Sequence, residues 1–194
     1  MGTLIRQAVT LLALLTLITG AIYPLAVTGI GQVAFAHTSN GSVIERDGKA
    51  LGSELIGQAF TGQKYFWPRP SATAPFANNP AASAASNLGP TNSALRDAVQ
   101  QRVAALRGAD PENGASVPVD LVTASASGVD PHISPAAAQY QLARVARVRG
   151  VPPAEVARLV ARATEGRQFG VLGEPRVNVL KLNLLLDAEL QGQL

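Results

Sequence analysis

The stretch Ala8–Val27, AVTLLALLTLITGAIYPLAV, decides the architecture of this chain. It is almost wholly apolar, and no charged side chain occurs between Arg6 and Glu45. About 20 residues at ~1.5 Å rise each cover the ~30 Å hydrocarbon core of a bilayer. A transmembrane helix is therefore expected over residues 8–30, after a short cytoplasmic N-terminus of residues 1–7 and before an exit linker of residues 31–42. Residues 43–190 read as one mixed α/β domain with no second apolar stretch, and residues 191–194 as a C-terminal tail.

Arg6 and the terminal amine are the only charges ahead of the span. Positive residues stay on the cytoplasmic side, so the N-terminus is expected inside and the domain outside. Nothing opposes this early on: the first basic residue beyond the span is Arg46, and Glu45 and Asp47 flank it. Tyr23 suits the headgroup layer at the far end, and Pro24 removes a backbone donor beside it. The competing reading is a cleaved signal peptide ending at Ala34-Phe35-Ala36. The apolar run is longer than the ~7–15 residues of an ordinary signal core, which favours a retained anchor. Either way the domain is exported.

The chain has no cysteine, which removes disulfides, lipidated cysteines and thiolate metal sites. Lys+Arg exceed Asp+Glu by only 16 to 13, so the basic pI is not a nucleic-acid footprint. No nucleic-acid partner is expected.

Three helices are expected in the domain. The first covers about Ser93–Arg107, with Leu95, Val99, Val103 and Leu106 at helical spacing. The second starts at the hydroxyl cap Ser134 with Pro135 in the first helical position, and runs to Gly150. The third spans Pro152–Glu165. The helical arginines Arg144, Arg147 and Arg149 read as solvated faces. Two strands are expected, Val117–Thr123 and Val177–Leu186, the latter from alternation of Leu180, Leu182, Leu184 and Leu186. Residues 72–85, rich in Ala, Pro, Asn and Ser, read as an irregular loop.

Catalytic signatures are sparse. There is no GxxxxGK[ST] phosphate loop and no Asp-Lys-Thr-Gly phosphorylation motif. With only His37 and His132, no metal site is expected. The segment Thr123–Pro135, TASASGVDPHISP, gathers Ser125, Ser127, Asp130, His132 and Ser134. It fits a membrane-anchored exported serine hydrolase with Ser125 or Ser127 as nucleophile and His132 as base. No GxSxG elbow accompanies it, and the plainer reading is a strand-to-helix loop capped by Ser134. Tyr65-Phe66-Trp67-Pro68-Arg69-Pro70 fits either core packing or an exposed aromatic anchor.

Several motifs then occur in order. They are Gly52-Ser53-Glu54-Leu55-Ile56-Gly57-Gln58, Tyr65-Phe66-Trp67-Pro68-Arg69-Pro70-Ser71, and Ser86-Asn87-Leu88-Gly89-Pro90-Thr91-Asn92. Val117–Ser125, Asp130–Pro135 and Arg176–Asn183 follow. Together with the N-terminal span, this set closely resembles the C subunit of the Kdp-type high-affinity potassium-transporting P-type ATPase. The resemblance implies a non-catalytic accessory subunit, single-pass in the bacterial plasma membrane. Its implied partners are a channel-like, potassium-binding A subunit, a P-type ATPase B subunit and a very small F subunit. ATP, Mg and potassium would be used by the complex, with no cofactor bound by this chain. The resemblance also implies a catalytic chaperone that raises ATP affinity. A domain outside the membrane does not meet cytoplasmic ATP, however, and no phosphate cradle is present. On this reading Trp67, Arg69, Asn87, Asn92, Asp130 and His132 are the candidates for partner contact. Thr10, Thr16, Thr19 and Gly20 are the candidates for helix packing in the membrane. A solitary anchored binding protein is the third option.

Overall fold

A computed structural model of the chain describes residues 1–190. The tail expected at 191–194 lies outside the described residues. Two units are distinguished, one spanning Met1–Leu51 and one beginning at Gly52.

The first unit opens with α1 (Gly2–Leu17), a π-helical turn (Ile18–Ile22) and α2 (Tyr23–Ala34). They form one helical run of 33 residues whose most apolar window has a mean hydropathy of 2.0 and is wholly unburied. This is a helix of membrane-spanning length, with margin for tilt. The π turn has a local cause. Pro24 brings no N–H, and its ring crowds the carbonyl four residues back. The helix widens just ahead of it, and the Tyr23 N–H donates to the Ile18 carbonyl, five residues earlier. Thr19 Oγ1 donates to the Leu15 carbonyl at 2.7 Å, so this hydroxyl is engaged within its own helix. Thr16 and Gly20 line a shallow groove together with Ala13 and Ala21. Past Phe35 the chain forms the short helix α3 (Ala36–Ser39), so the expected linker is partly helical. A hairpin of β1 (Val43–Arg46) and β2 (Lys49–Ser53) follows. Its turn residues Asp47 and Gly48 both have positive φ, as a two-residue hairpin loop requires.

The second unit contains α4 (Ser93–Ala109), α5 (Pro135–Arg149), α6 (Pro153–Ala163) and α7 (Val179–Leu190). An antiparallel sheet holds β5 (Arg176–Asn178) between β3 (His132–Ile133) and β4 (Thr164–Glu165). Registers pair His132 with Asn178, Ile133 with Val177, Thr164 with Val177 and Glu165 with Arg176. Alternation along three residues sends Val177 into the core with Ile133, and leaves Arg176, His132 and Glu165 on the opposite face. The core packs Val145, Val156, Leu159, Leu182 and Leu186 from three helices around Phe66 and these strands. The caps follow chemistry visible in the sequence. Asn92 Oδ1 accepts from Ala94 N at 2.9 Å at the head of α4, and Ser134 Oγ accepts from Ala137 N at 3.0 Å at the head of α5. Gly150 closes α5 with φ of +68°.

Two expected strands are not strands. Val117–Thr123 contains a 3-10 turn, Val119–Leu121, instead. Pro118 offers no donor to a ladder, and neighbouring Leu121 and Val122 are both buried where a strand would alternate. Val177–Leu186 is strand only at its start and becomes α7. Of the buried positions, Val179, Leu182, Asn183, Leu186 and Leu190 follow helical spacing, with Leu180 buried beside them. The Asn178 carboxamide accepts from Lys181 N at 3.1 Å, an N-cap three residues ahead. A leucine run satisfies periods of 2 and 3.6 alike, and leucine favours helix.

Candidate partner-contact site

The chain turns at Gly62–Tyr65, where the Tyr65 N–H donates to the Gly62 carbonyl at 3.1 Å, and then runs through Phe66 and Trp67 without a strand neighbour; there its peptide groups are satisfied by side chains from two helices. Phe66 N–H donates to Asn183 Oδ1 at 2.9 Å, and Asn183 Nδ2 donates back to the Phe66 carbonyl at 3.0 Å. Gln141 treats Trp67 in the same way, at 2.8 and 3.1 Å. One amide from α7 and one from α5 thus replace a missing β ladder, residue by residue. Arg144, only 2% exposed, donates to the Gln63 and Tyr65 carbonyls and to Gln141 Oε1, and its guanidinium lies 4.5 Å from the Trp67 ring centre. Burial lowers its pKa to about 10, with the charge of Asp110 opposing the fall and that of Arg147 adding to it. It stays cationic at neutral pH. Arg149 donates to the Lys64 carbonyl and pairs with Asp187 at 2.8 Å, while the Tyr65 hydroxyl donates to the other Asp187 oxygen at 2.9 Å. The reading of Arg144 and Arg149 as solvated is corrected, because both point inward at carbonyls. Arg147 is exposed and pairs with the buried Asp110 at 2.6 Å.

This clamp presents Pro68-Arg69-Pro70 to a chain of charges on the polar side of the sheet. Arg69 Nη1 meets Asp130 Oδ2 at 3.0 Å, and Asp130 Oδ1 accepts the His132 backbone N–H at 2.9 Å and faces its Nδ1 at 3.4 Å. The other ring nitrogen faces Glu165 at 3.9 Å. Glu165 is held by Arg176 at 3.0 Å, and Lys181 joins it to Glu54. Burial alone would push the Asp130 carboxyl up; the hydrogen bonds from His132 and the charge and hydrogen bond of Arg69 outweigh it and hold the pKa below its ordinary value. A polar cleft of about 420 Å³ opens here, lined by Arg69, Asp120, Asp130, His132, Ser134 and Arg176. Beside it an apolar cleft of about 310 Å³ is lined by Phe60, Trp67, Pro68, Pro70 and Arg102.

Trp67, Arg69, Asp130 and His132 are therefore brought together. Asn87 and Asn92 are exposed on the connection into α4, where Asn87 holds a positive φ and Asn92 acts as a cap. The glycines of the first motif are steric. A Cβ on Gly57 would stand 2.7 Å from the Asp130 carbonyl oxygen and 2.7 Å from Asn78 Oδ1. The positioning roles of Gln141, Asn183 and Asn178 escaped the sequence reading, although Asn183, an amide set among the leucines of α7, was a signal. Asn178 also donates to the Glu54 carbonyl at 2.8 Å, tying the first motif to β5.

The serines do not form a hydrolase site. Ser125 is buried, with Oγ accepting from Gly128 N at 2.9 Å, and Ser127 Oγ accepts from Val129 N at 3.3 Å. Both ring nitrogens of His132 face carboxylates rather than either serine. Ser134 is a cap whose N–H and hydroxyl donate to Asp120.

These features define a class: a helix of membrane-spanning length and a mixed helix-and-sheet domain whose polar groups largely hold its own extended chain. The profile described as "KdpC: K+-transporting ATPase, c chain" matches residues 5–188. A relative from Methylococcus capsulatus named "Potassium-transporting ATPase KdpC subunit" is 65% identical over 94% of this chain and 96% of its own. A relative of the same name from Burkholderia vietnamiensis is 59% identical over 99% of this chain and 100% of its own. The chain belongs to the KdpC family. It is an accessory subunit of a potassium-transporting ATPase rather than a catalytic chain, and the serine-hydrolase alternative is set aside.

Proposed function

We propose that this subunit stands with its N-terminus in the cytoplasm and its domain outside the plasma membrane, where the domain covers the channel-like, potassium-binding subunit. The P-type ATPase subunit and the small F subunit complete the complex. The observation that carries the orientation is Arg6, the only charged side chain before a run that stays uncharged to Glu45. The span packs against partner helices, with Thr10, Thr16 and Gly20 as the small or hydroxyl residues at the contact. Thr19 contributes less, since its hydroxyl is satisfied at Leu15. Trp67, Arg69, Asp130 and His132 form the contact face, with Asn87 and Asn92 at its edge. ATP, Mg and potassium belong to the complex, and no nucleotide contact is assigned to this chain.

The absence of cysteine makes the test direct. Single cysteines are introduced at Thr3 and at Ala115 in the assembled complex, and a membrane-impermeant maleimide is applied to spheroplasts. Labelling of Ala115→Cys in intact spheroplasts, and of Thr3→Cys only after permeabilisation, is the expected result. The reverse pattern overturns the orientation. Co-purification through a C-terminal tag, with potassium-stimulated ATP hydrolysis, tests the partners.

A further inference from the structure

The apolar run Gly2–Ala34 does not supply every donor its own backbone needs. In an α-helix the Thr19 carbonyl accepts from the N–H four residues on, that of Tyr23; in a π turn it accepts from the residue five on, Pro24. The Tyr23 N–H is given to the Ile18 carbonyl, and Pro24 has no N–H to give. The Thr19 carbonyl therefore has neither donor. The Gly20 carbonyl loses its α-helical donor to the same proline. The Thr19 hydroxyl does not repair this, because it is committed to the Leu15 carbonyl at 2.7 Å.

The open carbonyl stands where it is most costly. Thr19 is eleven residues beyond Ala8, which at ~1.5 Å each is about 16 Å into a core of ~30 Å. Hydrocarbon offers no donor, and a proline break in a membrane helix persists where a neighbouring helix supplies one. Access is free, since a Cβ on the adjoining Gly20 would meet only Thr16 Cγ2, at 4.0 Å. The depth selects the donor. Ammonium and guanidinium groups are expensive at mid-membrane, and indoles favour the interface. Hydroxyls in helices bond back to their own carbonyls, as that of Thr19 does. A carboxamide remains. A second copy of this chain does not provide it. Between Gln7 and Gln32 the side-chain donors are hydroxyls alone, and both glutamines lie at least twelve residues from Thr19, about 18 Å along the helix.

We propose that the Thr19 carbonyl accepts a hydrogen bond from an Asn or Gln side chain on a transmembrane helix of another subunit of the same ATPase. This rests on the subunit reading above. It gives the helix contact its register, with the donor level with the Thr19–Pro24 break.

The test uses the full chain in its complex. Tyr23, one turn beyond the open carbonyl, is replaced by photoreactive benzoylphenylalanine; native membranes are irradiated and adducts are mapped by mass spectrometry. The expected adduct lies in a transmembrane segment of another subunit, within one helical turn of an Asn or Gln. Adducts with lipid alone, with a second copy of this chain or with a segment lacking a carboxamide overturn the proposal, as does the absence of any protein adduct where the subunits co-purify. In parallel, Pro24→Ala returns an N–H to the helix and should weaken retention in the diluted complex by about 3- to 20-fold, the range of one interhelical hydrogen bond in a membrane. Replacing the mapped carboxamide by leucine should cost a similar factor, and both changes together no more than either alone, since each removes the same bond. Retention of Pro24→Ala equal to wild type, or losses that multiply in the double variant, overturn the proposal; the second outcome would trace the loss to helix shape. Failure of the wild-type subunits to co-purify would instead count against the subunit reading, so the two failures are distinct.

Discussion

Replacing Asn183 by leucine tests the central structural argument. The side chain is 1% exposed and holds both backbone groups of Phe66, itself fully buried. Leucine fits the apolar surroundings but offers neither donor nor acceptor. The Phe66 N–H and carbonyl then stay buried without partners, at about 1–3 kcal/mol each. Added leucine burial offsets a little of this, leaving a net loss of about 2–5 kcal/mol. Against a typical stability of ~5–15 kcal/mol, that is a large fraction. At roughly 3 °C per kcal/mol for a domain of this size, the melting temperature should fall by about 6–15 °C. The chain has one tryptophan, Trp67, next to the affected peptide, so its fluorescence reports the transition in the full-length, detergent-solubilised protein. Asn183→Asp is the matched control. It keeps the shape and the acceptor, but an ionised carboxylate gives the Phe66 carbonyl no donor. Burial raises the pKa of such an acid above its unfolded value, so this variant should lose stability as pH rises above about 4 and regain it on acidification. A melting temperature for Asn183→Leu within about 1 °C of wild type would falsify the account of the segment as held by amide side chains.

Other outcomes follow from the same geometry. Gly57→Ala should destabilise by about 1–3 kcal/mol, because its Cβ would meet the Asp130 carbonyl oxygen and Asn78 Oδ1, each at 2.7 Å, and the chain must shift; denaturant titration reads this, and a neutral result removes the steric role of that glycine. Leu182→Ala, at a fully buried core position, should cost about 2–5 kcal/mol in the same titration. Asp130 has a folded pKa below its ordinary value, so its contribution is fully present above about pH 4 and is lost as pH falls through the folded value. Asp130→Asn should flatten the acid limb of the stability profile, and an unchanged limb would show that its partners do not hold the carboxylate. Ser125→Ala should leave potassium-stimulated ATP hydrolysis by the complex intact and cost about 1 kcal/mol in stability through the lost bond from Gly128 N; lost turnover with an unchanged fold would reopen a chemical role for the serine.

The sequence by itself determined what depends on near neighbours. The apolar run after Arg6 was legible as a helix of membrane-spanning length, since about 20 successive residues carry no charge and almost no polarity. The heads of α4 and α5 were legible because Asn92 and Ser134 bond to peptide groups two and three residues away. The family was legible in the order of its motifs. Tertiary structure decided what depends on distant partners. Leu180–Leu186 suited a strand as well as a helix until Phe66, 117 residues from Asn183, needed an amide opposite it. Arg144 looked like a solvated arginine because the carbonyls that bury it belong to Gln63 and Tyr65, 81 and 79 residues away. Asp130 and His132 stood beside two serines in sequence, and the fold turned them instead toward Arg69 and Glu165. Periodicity and capping are properties of a segment, but a buried polar group takes its meaning from whatever the rest of the chain places within 3 Å of it.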